Sequence, residues 1–132
     1  MRFKGHNLLA ILAAAIAIYL IEFVIFAVLI PGDQYAAMVG LSADQMHPER
    51  MMFGVAPPVL TAIGLSLAVK WRNAPGLMGG AMTGVWMAIF FAFATSLYPF
   101  VYGSNTETFL AVNFGHYLVC YAAAGAILGA WK

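Results

Sequence analysis

Four long, unbroken apolar runs constrain this chain more than any other feature: Leu8–Ile30, Met51–Val69, Gly76–Tyr98 and Thr108–Trp131. A helix needs about 20 consecutive apolar residues to cross the hydrocarbon layer of a bilayer. Each run meets that length. The alternative spanning architecture is a β-barrel, whose strands alternate in polarity over about ten residues. These runs are continuous and far longer, so their backbone groups must find partners within helices. The fold class expected is all-α: an integral membrane protein with four transmembrane helices in an up-down bundle, forming a single domain over residues 1–132. Composition agrees. Only 8% of residues are charged, against about 25% in ordinary soluble domains.

The first run follows a basic segment, "MRFKGHN", as a secretory leader does. Its apolar core is much longer than the usual leader core of roughly 7–15 residues, and "IPGDQY" beyond it offers no small-x-small cleavage pattern. It is expected to be a retained span. Arg2 at position 2 and a Trp131-Lys132 ending give no lipidation motif.

Charge sorts by loop. Arg2, Lys4, Lys70, Arg72 and Lys132 fall on one side of a four-span chain, and Arg50 alone on the other, with Asp33, Asp44, Glu49 and Glu107. Basic residues favour the cytoplasmic side. Both termini are therefore expected in the cytoplasm, and the bacterial inner membrane is the expected location. The outer loop, residues 31–50, reads as partly helical. Asp33 is placed to cap a short helix "QYAAMV" ended by Gly40. "SADQ" at Ser42–Gln45 has capping-box spacing. Pro48 and Glu49 suit the start of the second span. This segment reads either as an ordinary loop or as a lid over an outward pocket.

The third span carries Gly76, Gly80, Gly84, Ala88, Ala92 and Ser96, a small residue at every fourth position. In lipid, helices associate by close packing of such small faces. Met82, Trp86 and Phe90 lie on roughly the opposite face. The second span offers a partner stripe, Gly54, Pro58, Ala62 and Ser66, and the fourth offers Gly125 and Gly129. The stripe serves packing within the monomer or contact with another subunit. Pro57-Pro58 predicts a kink or an unwound turn in the second span.

Glu22 is the one acid inside these runs, in "AIYLIEFVIFAVLI". It lies eight residues before the outer end of the first span, and His116 lies eight residues into the fourth. At 1.5 Å per residue both sit about 12 Å below the same boundary. The first and last helices of an up-down bundle are neighbours. The pair is therefore placed to meet, as a neutral hydrogen bond or as an ion pair. Asn113 and Cys120 share the face of His116, and Thr61 and Thr95 approach from the other two spans. Ionisable groups at this depth are costly and usually functional. Two readings of the cluster follow: a polar clasp fixing two helices, or a site for a proton, a cation or a polar head group.

Several chemistries lack their residues. No haem-ligating histidine pair lies at membrane depth, since His6 and His47 fall in opposite aqueous regions. No metal-ligand spacing, phosphate-binding glycine loop, HExxH or nucleophile elbow occurs, so no catalytic residue, metal or cofactor is expected. A net charge of +1 gives no field for nucleic acid.

"HNLLAILAAAIAIYLIEFVIFAVL" with "YAAMVGLS", and "VNFGHYLVCYAAAGAILGAW" near the end, resemble the opening and closing segments of domain-of-unknown-function family 1761, small bacterial and fungal membrane proteins. The family typically has a Trp-Tyr pair late in its first span. Here that region reads "EFVIFAV", which marks Glu22 as particular to this chain. The resemblance implies a four-span membrane protein and brings no activity, substrate or cofactor. The expected role is accessory or structural and not enzymatic, with the lipid bilayer and a larger membrane complex or homo-oligomer as partners. The alternative is a small carrier or hydrophobic-ligand or proton-binding protein using Glu22 and His116. A third class is a lipid-directed enzyme with that pair as acid and base.

Overall fold

Apolar runs of this length bond their own backbone, and the computed structural model is accordingly helical. It describes residues 2–3, 5–73 and 75–131; Lys4 and Lys132, two basic residues of the charge argument, lie outside the described residues. Strands β1 (Arg2–Phe3) and β2 (His6–Asn7) pair antiparallel around Gly5, whose φ of +81° suits a residue without a side chain. Helix α1 (Leu8–Phe23) continues into a π-helical stretch, Val24–Leu29. A short α2 (Gly32–Met38) follows, then 3₁₀ segments Ala43–Gln45 and Pro48–Val55, and α3 (Ala56–Trp71). The next helix begins as α4 (Gly76–Met87), passes through π-helical Ala88–Phe93 and ends as α5 (Ala94–Val101). Helix α6 spans Glu107–Ala130. Four continuous helical stretches, Leu8–Leu29, Pro48–Trp71, Gly76–Val101 and Glu107–Ala130, are long and apolar enough to cross a membrane.

Helix ends follow from local chemistry. The Asn7 side chain accepts from the amides of Leu9 and Ala10 and starts α1. The Thr106 hydroxyl accepts from Phe109 N and starts α6. Asp33 does not cap α2. Pro31 holds the cap position, without a side-chain bond, and Asp33 sits one position inside the first turn, where its charge still favours the helix N-terminus. Gln45 Oε1 accepts from both the amide and the hydroxyl of Ser42, the back-reaching half of the box. That hydroxyl network, with a hydrogen bond from Ser42 first, holds the Asp44 carboxyl below its ordinary range.

Helix α6 is the packing hub, touching α1, α3, α4 and α5. Its seam with α4 is glycine on glycine. A Cβ added at Gly80 would collide with the Gly125 carbonyl, one at Gly84 with the Tyr121 carbonyl, and one at Gly125 with the Gly80 carbonyl. Backbone thus lies on backbone, as small-residue seams in lipid allow. The stripe of the third span meets the fourth span here, not the second. Pro58, Ala62 and Ser66 are buried, but Gly54 is exposed with nothing near it, because Pro48–Val55 winds as 3₁₀ helix and carries it off the α-helical stripe. The unwinding expected from Pro57-Pro58 lies just upstream of them, and the two prolines open α3, where missing amide donors cost little.

The apolar core joins Ala10, Ala14, Ala15 and Ile18 of α1, Ala62, Leu65 and Val69 of α3, and Cys120, Ala124 and Leu128 of α6. Large apolar side chains such as Leu12, Ile16, Leu20, Leu60, Phe90 and Val119 face outward. In water that surface would be a liability; in hydrocarbon it is the required one. At one end of the molecule, Asn7 Nδ2 donates to Trp131 O (3.3 Å), His6 Nδ1 and Ser66 Oγ bond at 2.8 Å, and Arg72 Nη1 donates to Thr83 Oγ1 (3.0 Å). At the other, Ser104 Oγ donates to Val39 O and Thr106 Oγ1 to Met38 O, both at 2.8 Å. Those two bonds tie α2 to the start of α6.

Candidate functional site

Glu22 lies on the last turn of α1, two residues before the π-helical stretch. His116 lies on α6, three residues beyond Asn113 and four before Cys120, so all three face inward and are buried. His116 Nε2 stands 3.4 Å from Glu22 Oε1. The ring is 93% removed from solvent contact by its 7% exposure, while Glu22 keeps 28%. Neither His116 ring nitrogen has a hydrogen-bond partner among the described residues. The carboxylate is within ion-pair reach but outside hydrogen-bonding geometry. A buried polar atom left so costs about 1–3 kcal/mol. Phe26 meets the imidazole edge-on at 5.1 Å, and Tyr117 lies beside it at 4.9 Å.

Two cavities lie near this pair, and the pair lines one of them. The inner one, about 270 Å³, is walled by Glu22, His116, Thr61, Thr95, Pro57 and Tyr121, among others. The larger, about 740 Å³, is walled by Phe26, Tyr35, Phe109, Asn113, Ser96 and Met51, among others. Thr95 and Tyr117 line both. Of the five sequence-predicted site residues, Glu22, His116 and Thr61 line the inner cavity, Asn113 lines the larger one, and Thr95 lines both. The Thr95 hydroxyl is bonded back to its own helix, to Ala92 O at 2.9 Å. Gly32 and Tyr35 of α2 contribute to the wall of the larger cavity, which places α2 over it.

The space exists because the surrounding helices are irregular. π-Helical turns adjoin it at Val24–Leu29 and Ala88–Phe93, and 3₁₀ helix at Pro48–Val55. Such turns widen or tighten a helix locally and often occur at functional sites. The aromatic wall was not anticipated from the sequence. Phe26, Tyr35 and Phe109 contact one another at 5.7–6.4 Å, mostly edge-to-face. Its sequence signal is helical spacing: Phe26 follows Glu22 by four residues, and Phe109 precedes Asn113 by four. Burial pushes the Tyr35 hydroxyl's pKa up from its ordinary value of 10.0. Among the described residues no three His, Cys, Asp or Glu side chains converge as metal ligands do.

The fold and this interior pair define a helical membrane protein with four helices able to cross the bilayer and a polar pocket between them. The profile of the family described as protein of unknown function (DUF1761) matches residues 9–129, and the chain belongs to that family. No curated protein and no solved structure matches the chain.

Proposed function

We propose that this protein is a small, non-enzymatic binding or carrier protein of the bacterial inner membrane, taking up an amphipathic small molecule at Glu22 and His116. The observation that carries this reading is the buried, unpartnered His116 imidazole beside Glu22 on the wall of the inner cavity. A clasp between two helices would be expected to satisfy the imidazole; a binding site leaves a polar atom for its ligand. The four spans are read as an up-down bundle with both termini in the cytoplasm. The basic bias of Arg2, Lys70 and Arg72 supports that orientation. The larger cavity then faces the periplasmic half of the membrane.

A second reading, an accessory subunit of a larger membrane complex or a homo-oligomer, draws on one feature. Trp86 and Phe90 stack at 5.8 Å on the exposed face of the third span, opposite the glycine seam. A partner helix would find a flat aromatic surface there, as would lipid.

Purification in mild detergent followed by native mass spectrometry separates the two. The binding reading expects a small molecule with wild type that is lost from Glu22→Gln and His116→Ala. A protein partner retained by wild type and both variants, with no small molecule, would overturn it in favour of the accessory reading.

A further inference from the structure

From the chemistry of these two adjacent cavities, which share Thr95 and Tyr117, we infer that the ligand is a hydrophobic organic cation. This rests on the binding reading above and names the class of molecule. Three features of the walls select it. Among the described residues Glu22 is the only Asp or Glu lining either cavity, and no Lys or Arg lines them. Phe26, Tyr35, Phe109 and Tyr117 supply aromatic rings to the larger cavity, and Tyr117 lines the inner one beside the carboxylate as well. Of the other polar groups, Thr61, Thr95, Ser96, Asn105 and Asn113 are neutral, and His116 stands beside the carboxylate.

Each feature acts on charge in the same direction. Aromatic faces attract a cation within about 6 Å, most strongly where water is excluded. A carboxylate in a low-dielectric setting needs a positive neighbour. A bound ammonium or phosphonium meets that need. An anion would find the Glu22 carboxylate on the wall, with the His116 imidazole as the one side chain beside it able to offset that charge. The larger cavity is mostly apolar in wall, and Phe26, Met51 and Phe109 suit the hydrocarbon part of such a molecule. A small hydrated ion would leave those walls without contact.

Tetraphenylphosphonium and tetraphenylborate have nearly the same shape and opposite charge, so the pair isolates charge from size. Binding of each to the full-length protein in lipid nanodiscs would be measured by equilibrium dialysis, against empty nanodiscs. The expected result is saturable binding of the phosphonium and at least tenfold weaker binding of the borate, roughly what loss of the carboxylate and cation–π contacts supports. Glu22→Gln should erase the preference. Phe26→Leu keeps an apolar side chain and removes the ring; it should weaken the phosphonium severalfold, and it keeps the test valid if Glu22→Gln fails to fold. Equal saturable binding of both ions, or preference for the borate, would overturn the cation assignment and leave the binding reading intact. So would a neutral amphiphile that co-purifies with wild type and is displaced by neither ion. If neither ion binds and no small molecule co-purifies, both the assignment and the binding reading fall.

Discussion

His116 Nε2 faces Glu22 Oε1 across 3.4 Å, between α6 and the last turn of α1, with the imidazole wedged between Phe26 and Tyr117. The pair is asymmetric. The histidine is buried and the acid is partly open to the inner cavity. Removing His116 leaves the acid without its neighbour but still within reach of the cavity; removing the acid leaves a buried ring with no partner of either kind.

A double-mutant cycle with Glu22→Gln and His116→Gln measures what the pair contributes. Contacting residues couple by about 0.5–3 kcal/mol. The partial opening of Glu22 and the long separation place the expected coupling at the low end, about 0.5–1 kcal/mol. Thermal unfolding in detergent reads it. The chain's one cysteine, Cys120, is fully buried, so a thiol-reactive fluorophore reports the melt without an introduced cysteine. Coupling above about 2 kcal/mol would mark the pair as a clasp first and a site second.

The α4–α6 seam predicts sharply position-dependent tolerance. Gly84→Val puts a branched side chain against the Tyr121 carbonyl, whereas Gly64→Val on α3 meets open space. Overpacking costs about 1–3 kcal/mol. Gly84→Val is expected to lower the Cys120-reported melting temperature markedly and Gly64→Val to leave it nearly unchanged. Equal effects would mean that the seam does not govern stability.

What the sequence made legible divides by range. Run length gave four helices, because backbone bonding in hydrocarbon permits little else. Counting residues from the span ends put Glu22 and His116 at one depth. The cavity was not legible, because it depends on π turns at Val24–Leu29 and Ala88–Phe93 that no residue pattern announces; only the unwinding at Pro48–Val55 had a sequence sign, in Pro57-Pro58. Partner choice was legible only in part. The glycines of the third span marked a seam, yet both Pro58–Ala62–Ser66 and Gly125–Gly129 offered small faces. Global packing around α6 decided between them. The β1–β2 hairpin escaped notice because it involves just two residues per strand.

Tyr35 gives an alkaline signature. Burial raises its pKa above 10.0, so the folded state holds the phenol's proton more tightly than the unfolded chain does. Its contribution is complete below the unfolded value and is lost as pH rises through the folded one. Above about pH 10, α2 should loosen from the cavity before the whole protein unfolds. Hydrogen exchange at Tyr35–Leu41 is expected to accelerate there in wild type, and Tyr35→Phe should remove that step. An unchanged profile in the variant would assign the alkaline loosening to other groups.

Orientation follows from the charge bias and is open to direct labelling. With Cys120→Ala as background, Pro75→Cys marks the turn between α3 and α4, and Asp44→Cys marks the loop before Pro48–Val55; both positions are exposed. A membrane-impermeant maleimide added to intact bacterial cells with a permeabilised outer membrane should label Asp44→Cys and spare Pro75→Cys until the inner membrane is opened. The retained basic residues Lys70 and Arg72 sit next to Pro75, so the expected protection there is the positive-inside rule acting on this turn. The reverse pattern would invert the molecule and put the mouth of the larger cavity, with Gly32, Tyr35 and Asn105 around it, on the cytoplasmic side. Ligand would then have to come from within the cell, and uptake from outside would be excluded as the first step of any carrier cycle.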